Sequence, residues 1–120
     1  MLDFLKKIFV PSKFILRIAK NSQFYFILIS PIGETILTSE FYKNKQGALN
    51  GIDSVRRNSG SDRGFESRFA TNSQRYFVLK ANNNKIIGIS EFYNSITDME
   101  KYIKLVILYA KKAKLVDSIK

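Results

Sequence analysis

Cysteine, histidine and tryptophan are absent from this 120-residue chain, and proline occurs twice. Without Cys there can be no disulfide, thiolate nucleophile or Cys-ligated zinc. Without His there is no imidazole base and no haem or zinc ligand of the usual kind. No run approaches the ~20 apolar residues that span a bilayer as a helix. With Gly at 6 residues and apolar types at 45%, the composition suits a packed core rather than wholesale disorder. What is plentiful is Phe (10), Tyr (6) and positive charge, 20 Lys+Arg against 10 Asp+Glu, for a net +10.

The charge is even along the chain: 9 basic and 4 acidic residues in 1–60, 11 and 6 in 61–120. There is no basic tail. A chain this basic favours anionic partners, although net charge alone speaks to solubility and nonspecific contact rather than to a site. The opening segment, Met1 to Val10, mixes lysines into an apolar run. A secretory signal would place its charges first, so a cytoplasmic location is expected. Leu2, Leu5, Ile8 and Phe9 would share one stripe of a short amphipathic helix stopped by Pro11. That stripe could rest on the protein's own core, on a partner subunit or on a lipid surface.

Shifted by 51 residues, the chain matches itself without a gap. Asn21-Ser-Gln-Phe-Tyr-Phe-Ile-Leu28 falls on Asn72-Ser-Gln-Arg-Tyr-Phe-Val-Leu79, and Ser39-Glu-Phe-Tyr42 on Ser90-Glu-Phe-Tyr93. Residues 14–58 and 65–109 share 16 identities over 45 positions, far above chance. The expected organisation is an N-terminal segment (1–13), a first unit (14–58), a linker (59–64), a second unit with a longer helix (65–113) and a tail (114–120). The linker Ser59-Gly-Ser-Asp-Arg-Gly64 lacks the spacing and Lys-Ser/Thr ending of a phosphate-binding loop.

Each unit reads as three strands and a helix. Phe14, Leu16 and Ile18 alternate at period two, and aromatic, β-branched runs follow at Phe24–Ser30 and Arg75–Ala81. Third strands are expected near Glu34–Phe41 and Lys85–Phe92. Asn44 and Ser95 stand where helix caps are needed. Ala48, Leu49, Ile52 and Val55 make a narrow sheet-facing stripe on the first helix. The second helix adds Leu105, Ile107 and Leu108 outside its stripe, so it needs cover on a second side. One such unit cannot close a core alone. The expected fold is α+β: two tandem β-β-β-α units share one mostly antiparallel six-stranded sheet, with helices on one face and a short N-terminal amphipathic helix.

Three segments carry a family likeness: Tyr25-Phe26-Ile27-Leu28, Ile36-Leu-Thr-Ser-Glu-Phe-Tyr42 and Ile52-Asp-Ser-Val-Arg-Arg-Asn58. The second unit keeps the first two as Tyr76–Leu79 and Ile87–Tyr93, but retains only Ile103 and Val106 of the third. The chain thereby resembles the YegP-like family of small bacterial tandem-repeat domains of unknown function. The resemblance implies tandem units in a single sheet and admits a terminal strand exchanged between units or subunits. It implies no catalytic residues.

Few catalytic groups remain. Glu40 and Glu91 are the only duplicated acids, and repeated geometry accounts for them without a site. The acids are too scattered for a recognisable cation loop, and Ser39 and Ser90 have no base motif to activate them. No cofactor or metal is expected, and the chain reads as a non-enzyme. If Phe14, Leu16, Phe26 and Leu28 face the helices, then Arg17, Tyr25 and Ile27 face away, with Arg68, Tyr76, Val78 and Lys80 as their second-unit counterparts. Arg beside Tyr on an open sheet suits a partner surface, and also resembles single-strand nucleic-acid platforms. Arg56 and Arg57, with Arg63, add a basic cluster at the first helix's end, where cations also suit the helix dipole. The expected function is protein association or self-association, with nucleic-acid binding as the alternative and a membrane surface least favoured. Deleting residues 1–11 is expected to lower the midpoint of thermal unfolding or change the oligomeric state. Leu2, Leu5, Ile8 and Phe9, or else a partner chain, are expected to cover the extra face of the second helix, and unchanged values in calorimetry and light scattering would count against that role.

Overall fold

The computed structural model describes residues 11–119; the proposed N-terminal helix lies outside them. Seven strands form one sheet: β1 (Lys13–Ile18), β2 (Phe24–Ile29), β3 (Thr35–Thr38), β4 (Phe65–Phe69), β5 (Arg75–Lys80), β6 (Ile86–Ile89) and β7 (Lys114–Asp117). The helices are α1 (Lys45–Asn58) and α2 (Ile96–Tyr109). Across the sheet the order is β4-β5-β6-β3-β2-β1-β7. The two three-stranded meanders thus meet at β3 and β6, in antiparallel register at Thr38 and Ile89. The α+β class and the single sheet agree with the sequence reading.

The six-stranded antiparallel sheet is corrected to a mixed sheet of seven. The stretch read as a tail supplies β7, which runs parallel to β1 with Phe14 beside Leu115 and Ile15 beside Val116. A four-residue strand with a Lys at its head is too short for periodicity to reveal. It forms because the last helix delivers it to an edge with free backbone groups. Lys114 N–H donates to Ser12 O and Ser118 N–H to Leu16 O. The long second helix is also shorter than expected. It ends at Tyr109 and tightens into a 3₁₀ turn over Ala110–Lys112, and buried Ala113 starts the extended segment.

Side-chain caps start both helices. Asn44 Oδ1 accepts from Gly47 N–H at 2.7 Å and Ser95 Oγ from Asp98 N–H at 3.1 Å. Both helices lie on one face over a common core that includes Phe14, Phe26, Leu28, Ile52, Val55, Phe77, Leu79, Met99 and Val106. Helix α1 packs on β2 of its own unit and on β5 and β6 of the other, while α2 packs on β5 and β3. Of the surplus apolar residues on α2, Leu105 packs against the core, whereas Leu108 is 52% exposed.

The repeated Ser-Glu-Phe-Tyr has a structural explanation. The Ser39 hydroxyl accepts from Phe26 N–H at 2.9 Å and donates to Glu40 O at 2.8 Å. Ser90 does the same with Phe77 N–H and Glu91 O at 2.9 and 2.7 Å. Each buried serine satisfies a strand N–H that the departing chain would otherwise strand. The following Tyr then turns inward and stacks on the core ring, Tyr42 on Phe26 and Tyr93 on Phe77.

Identity between the units breaks where the core demands it. Leu37 and Gly88 occupy equivalent positions beside the β3–β6 seam. A Cβ at Gly88 would lie 2.6 Å from Leu37 Cδ2, so the seam has room for one large side chain. Gly51 and Tyr102 are also equivalent. Gly51 leaves space for the Tyr42 ring, whereas Tyr102 stacks on Tyr93 at 4.7 Å and donates to Glu34 Oε2 at 2.6 Å.

Two outcomes follow from this packing. Gly88→Leu should cost about 3 kcal/mol or more by overpacking, and the exchanged pair Leu37→Gly/Gly88→Leu should recover at least half of that in urea unfolding, because the two sites share one volume. The β7 clasp should be acid-sensitive. Asp117 pairs with Lys45 at the start of α1. That ammonium, then the Ile119 N–H, hold its carboxyl below the ordinary value. A depressed folded pKa stabilises above the unfolded value of about 3.9 and is lost as pH falls through the lower folded value. Lys114 and Ser118 amide resonances should therefore shift over that acid range in wild type and stay in place in Asp117→Asn.

Candidate functional site

The helix-free face of the sheet collects most of the residues singled out by sequence. One row of paired positions crosses all seven strands: Glu66, Val78, Ile89, Thr38, Ile27, Ile15 and Val116. Ile27 and Val78 point outward as expected, yet are only 7% and 1% exposed. What reaches solvent lies beside this row.

In unit one, Arg17 is the cross-strand partner of Tyr25, and Tyr25 meets Phe41 edge-on at 5.8 Å. In unit two, Arg68 is the partner of Tyr76, and Tyr76 meets Phe92 edge-on at 5.5 Å. Phe41 and Phe92 are 55% and 57% exposed. Sequence reasoning did not select these two rings. The available signal was that the Tyr after each Phe turns inward, so alternation sends the Phe outward.

The two halves differ in charge. Glu66 accepts from Arg68 at 2.9 and 3.1 Å and pairs with Lys80 at 3.0 Å. Lys80 and then Arg68 hold the Glu66 carboxyl below its usual range, and Glu66, followed by Tyr76, raises Arg68. In unit one Ile15 stands where Glu66 does in unit two. Among the described residues, Arg17 has no acidic partner within ion-pair distance. Lys80 also lines a polar cleft of about 500 Å³ with Arg57, Arg63, Asn58, Asn82 and Asn84.

Arg56 does not join this surface. Its Nη1 donates to Lys111 O at 2.9 Å and its guanidinium lies over the Phe14 ring at 5.1 Å. Arg56 therefore fastens the end of α1 to the turn after α2 on the helix side, while its neighbour Arg57 opens into the cleft. Glu40 and Glu91 are exposed at the two strand-to-helix corners, each following its buried serine. Among the described residues, no group of three or more Asp or Glu could hold a metal ion. No described helix is long and apolar enough to cross a membrane.

Comparisons with known proteins place this arrangement. A family model described as Domain of unknown function (DUF1508) matches twice, at residues 19–66 and 70–117. Each match runs from the hairpin turn through the helix and into the strand after it. A UPF0339 protein of Pseudomonas aeruginosa is 47% identical over 95 residues, covering 79% of this chain and 86% of the relative. The UPF0339 protein YegP of Escherichia coli O157:H7 is 46% identical over 88 residues, 73% of this chain and 80% of that protein. Two solution structures share the fold. The YegP protein of E. coli has TM-score 0.85 and 38% identity, covering 91% of this chain and 94% of its own. A UPF0339 protein of Shewanella oneidensis has TM-score 0.83 and 40% identity, covering 88% and 90%. With a twice-repeated family match, these identities and the same fold, the chain belongs to the DUF1508 family of UPF0339, YegP-like proteins.

Proposed function

We propose that this protein is a non-catalytic association module that engages an acidic partner protein through the helix-free face of its sheet. The observation that carries this reading is the pair of exposed rings, Phe41 and Phe92, standing in equivalent places beside the buried Ile27 and Val78. Exposed aromatic rings anchored edge-on by a second ring lose little freedom on binding, and aromatic and Arg side chains dominate interface energetics. Arg17, Arg68 and Lys80 lie beside these anchors, and the chain's net +10 favours an acidic partner in the approach. The two ring pairs would give two anchor points related by the repeat, and Arg17, without an acidic partner among the described residues, would make the unit-one half the more demanding of an acidic neighbour.

A second reading has its own support. Arg17 beside Tyr25 and Arg68 beside Tyr76 combine a cation and an aromatic at each of two sites, as surfaces that stack bases and pair phosphates do. Oligonucleotide binding separates the two readings: a phosphate-contacting binder takes single strands at low salt and loses affinity steeply as salt rises.

The test compares wild type with Phe41→Ala/Phe92→Ala in affinity capture from nuclease-treated extract, with fold checked by circular dichroism. At least one acidic protein should be depleted tenfold or more by the double variant and bind purified wild-type chain directly. Identical capture by both chains would reject the proposed face. Tight binding to oligo-dT or oligo-U at 50 mM salt that collapses by 200 mM, with no protein partner, would install the nucleic-acid reading instead.

A further inference from the structure

We propose that the outer edge of β4 pairs antiparallel with the same edge of a second copy of this chain, continuing the sheet across a two-fold axis at Ser67. This goes beyond the association reading above, since it uses an edge rather than a face. Among the described residues β4 ends the sheet order and has a strand on one side alone.

The open edge carries usable backbone groups. Ala70 N–H donates inward to Gln74 O, and Arg68 and Glu66 follow it at period two. The groups of Ser67 and Phe69 and the carbonyl of Phe65 therefore point outward. The Phe65 N–H is already spent on Asp62 O. The equivalent edge of β1 shows what this geometry does when a strand reaches it. Leu16, the counterpart of Ser67, gives its carbonyl to Ser118 N–H, and β7 docks there. Both helices are followed by a strand, β4 and β7, and among the described residues no strand lies on the far side of β4.

The sequence of β4 selects the partner. Reversing Phe65-Glu-Ser-Arg-Phe69 keeps the aromatic ends and the central serine and exchanges acid for base, so the strand complements its own antiparallel copy. An antiparallel copy centred on Ser67 sets each Glu66 opposite the other chain's Arg68 and each Phe65 opposite the other chain's Phe69. The two Ser67 residues exchange N–H···O=C bonds, and each Phe69 N–H reaches the other copy's Phe65 O. Glu66 and Arg68 then fall at the closely spaced, non-hydrogen-bonded positions, where cross-strand charge pairs act most strongly. A parallel in-register copy would set Glu66 against Glu66 and Arg68 against Arg68, so the charges reject that alternative. The strand is locally neutral although the chain carries +10, which keeps repulsion away from the seam.

Phe69 supplies an independent argument. It is 65% exposed, with the Arg75 guanidinium over it at 4.0 Å. On the helix side of β4 lies a groove of about 390 Å³ lined by Phe65, Ser67, Ile103, Asp62, Glu100 and Lys104. In the paired arrangement the second copy's Phe69 stands opposite Phe65, at the mouth of this groove. One otherwise exposed ring, Phe69, is thereby covered at each end of the seam, against a partly buried Phe65.

The experiment is sedimentation velocity on the full chain across concentrations up to about 1 mM, the weak end of specific pairing. Wild type is expected to approach twice the 13.8 kDa chain mass. Glu66→Lys alone and Arg68→Glu alone should each be monomeric, because each sets like charges across the seam. Their equimolar mixture should re-form a dimer, because the two introduced charges then face each other with opposite sign, and the unaltered Arg68 of one chain faces the unaltered Glu66 of the other. Ser67→Pro should fold, since among the described residues no acceptor takes that N–H, and should remain monomeric. A wild-type chain that stays monomeric overturns the proposal, as does a dimer that survives Ser67→Pro or single variants that fail to complement. A dimer abolished by Phe41→Ala/Phe92→Ala but not by Ser67→Pro would place self-association on the open face instead.

Discussion

Neither half of this protein closes its own core, and that constraint shapes the rest. The strands of the two units meet at β3 and β6, where one register pair, Thr38 and Ile89, joins them. So little ladder cannot hold two modules together. The helices do, because α1 reaches over β5 and β6 and α2 reaches over β3. Each helix covers strands of the other unit, so one buried cluster runs through both. A three-stranded meander with one helix would leave much of its apolar face wet, and two of them sharing a core remove that cost.

The crossing helices also explain where the chain goes next. Leaving α1, the backbone arrives beside β5 and becomes β4; leaving α2, it arrives beside β1 and becomes β7. The site beside β2 is already taken by β1, so β7 docks on β1 in parallel. Among the described residues the result is a sheet in which β7 covers the outer side of β1, while β4, built from the equivalent residues, ends the sheet. The same asymmetry appears in the side chains. Leu37 opposes Gly88, Gly51 answers Tyr102, and Ile15 stands for Glu66. Gly88 leaves room for Leu37 across the seam, and Gly51 leaves room for the Tyr42 ring.

The outer surface is the byproduct of this inward logic. The buried hydroxyls of Ser39 and Ser90 end β3 and β6 and send the next Tyr inward. The Phe between them is forced outward, beside Tyr25 or Tyr76. A motif that looks like a duplicated carboxylate site is thus a duplicated corner, with exposed aromatic rings as its outward consequence.

Much of this was legible in the residues. The 51-residue shift, the hairpins, the caps at Asn44 and Ser95, and the division of each strand into inward Phe and outward Arg or Tyr all follow from local pattern, because period two and side-chain capping act over a few residues. Other features depended on tertiary neighbours. Lys114–Asp117 is a strand because β1 offers it an edge, and nothing in four mixed residues announces that. Arg56 leaves the open surface because the turn after α2 presents Lys111 O and the Phe14 ring within its reach. Composition and periodicity determined a duplicated, helix-covered sheet with an aromatic and basic outer face. Only the packed fold decided which edge was filled, which cations were tied down and which rings were left in water, since each of those outcomes belongs to pairs of residues far apart in the chain.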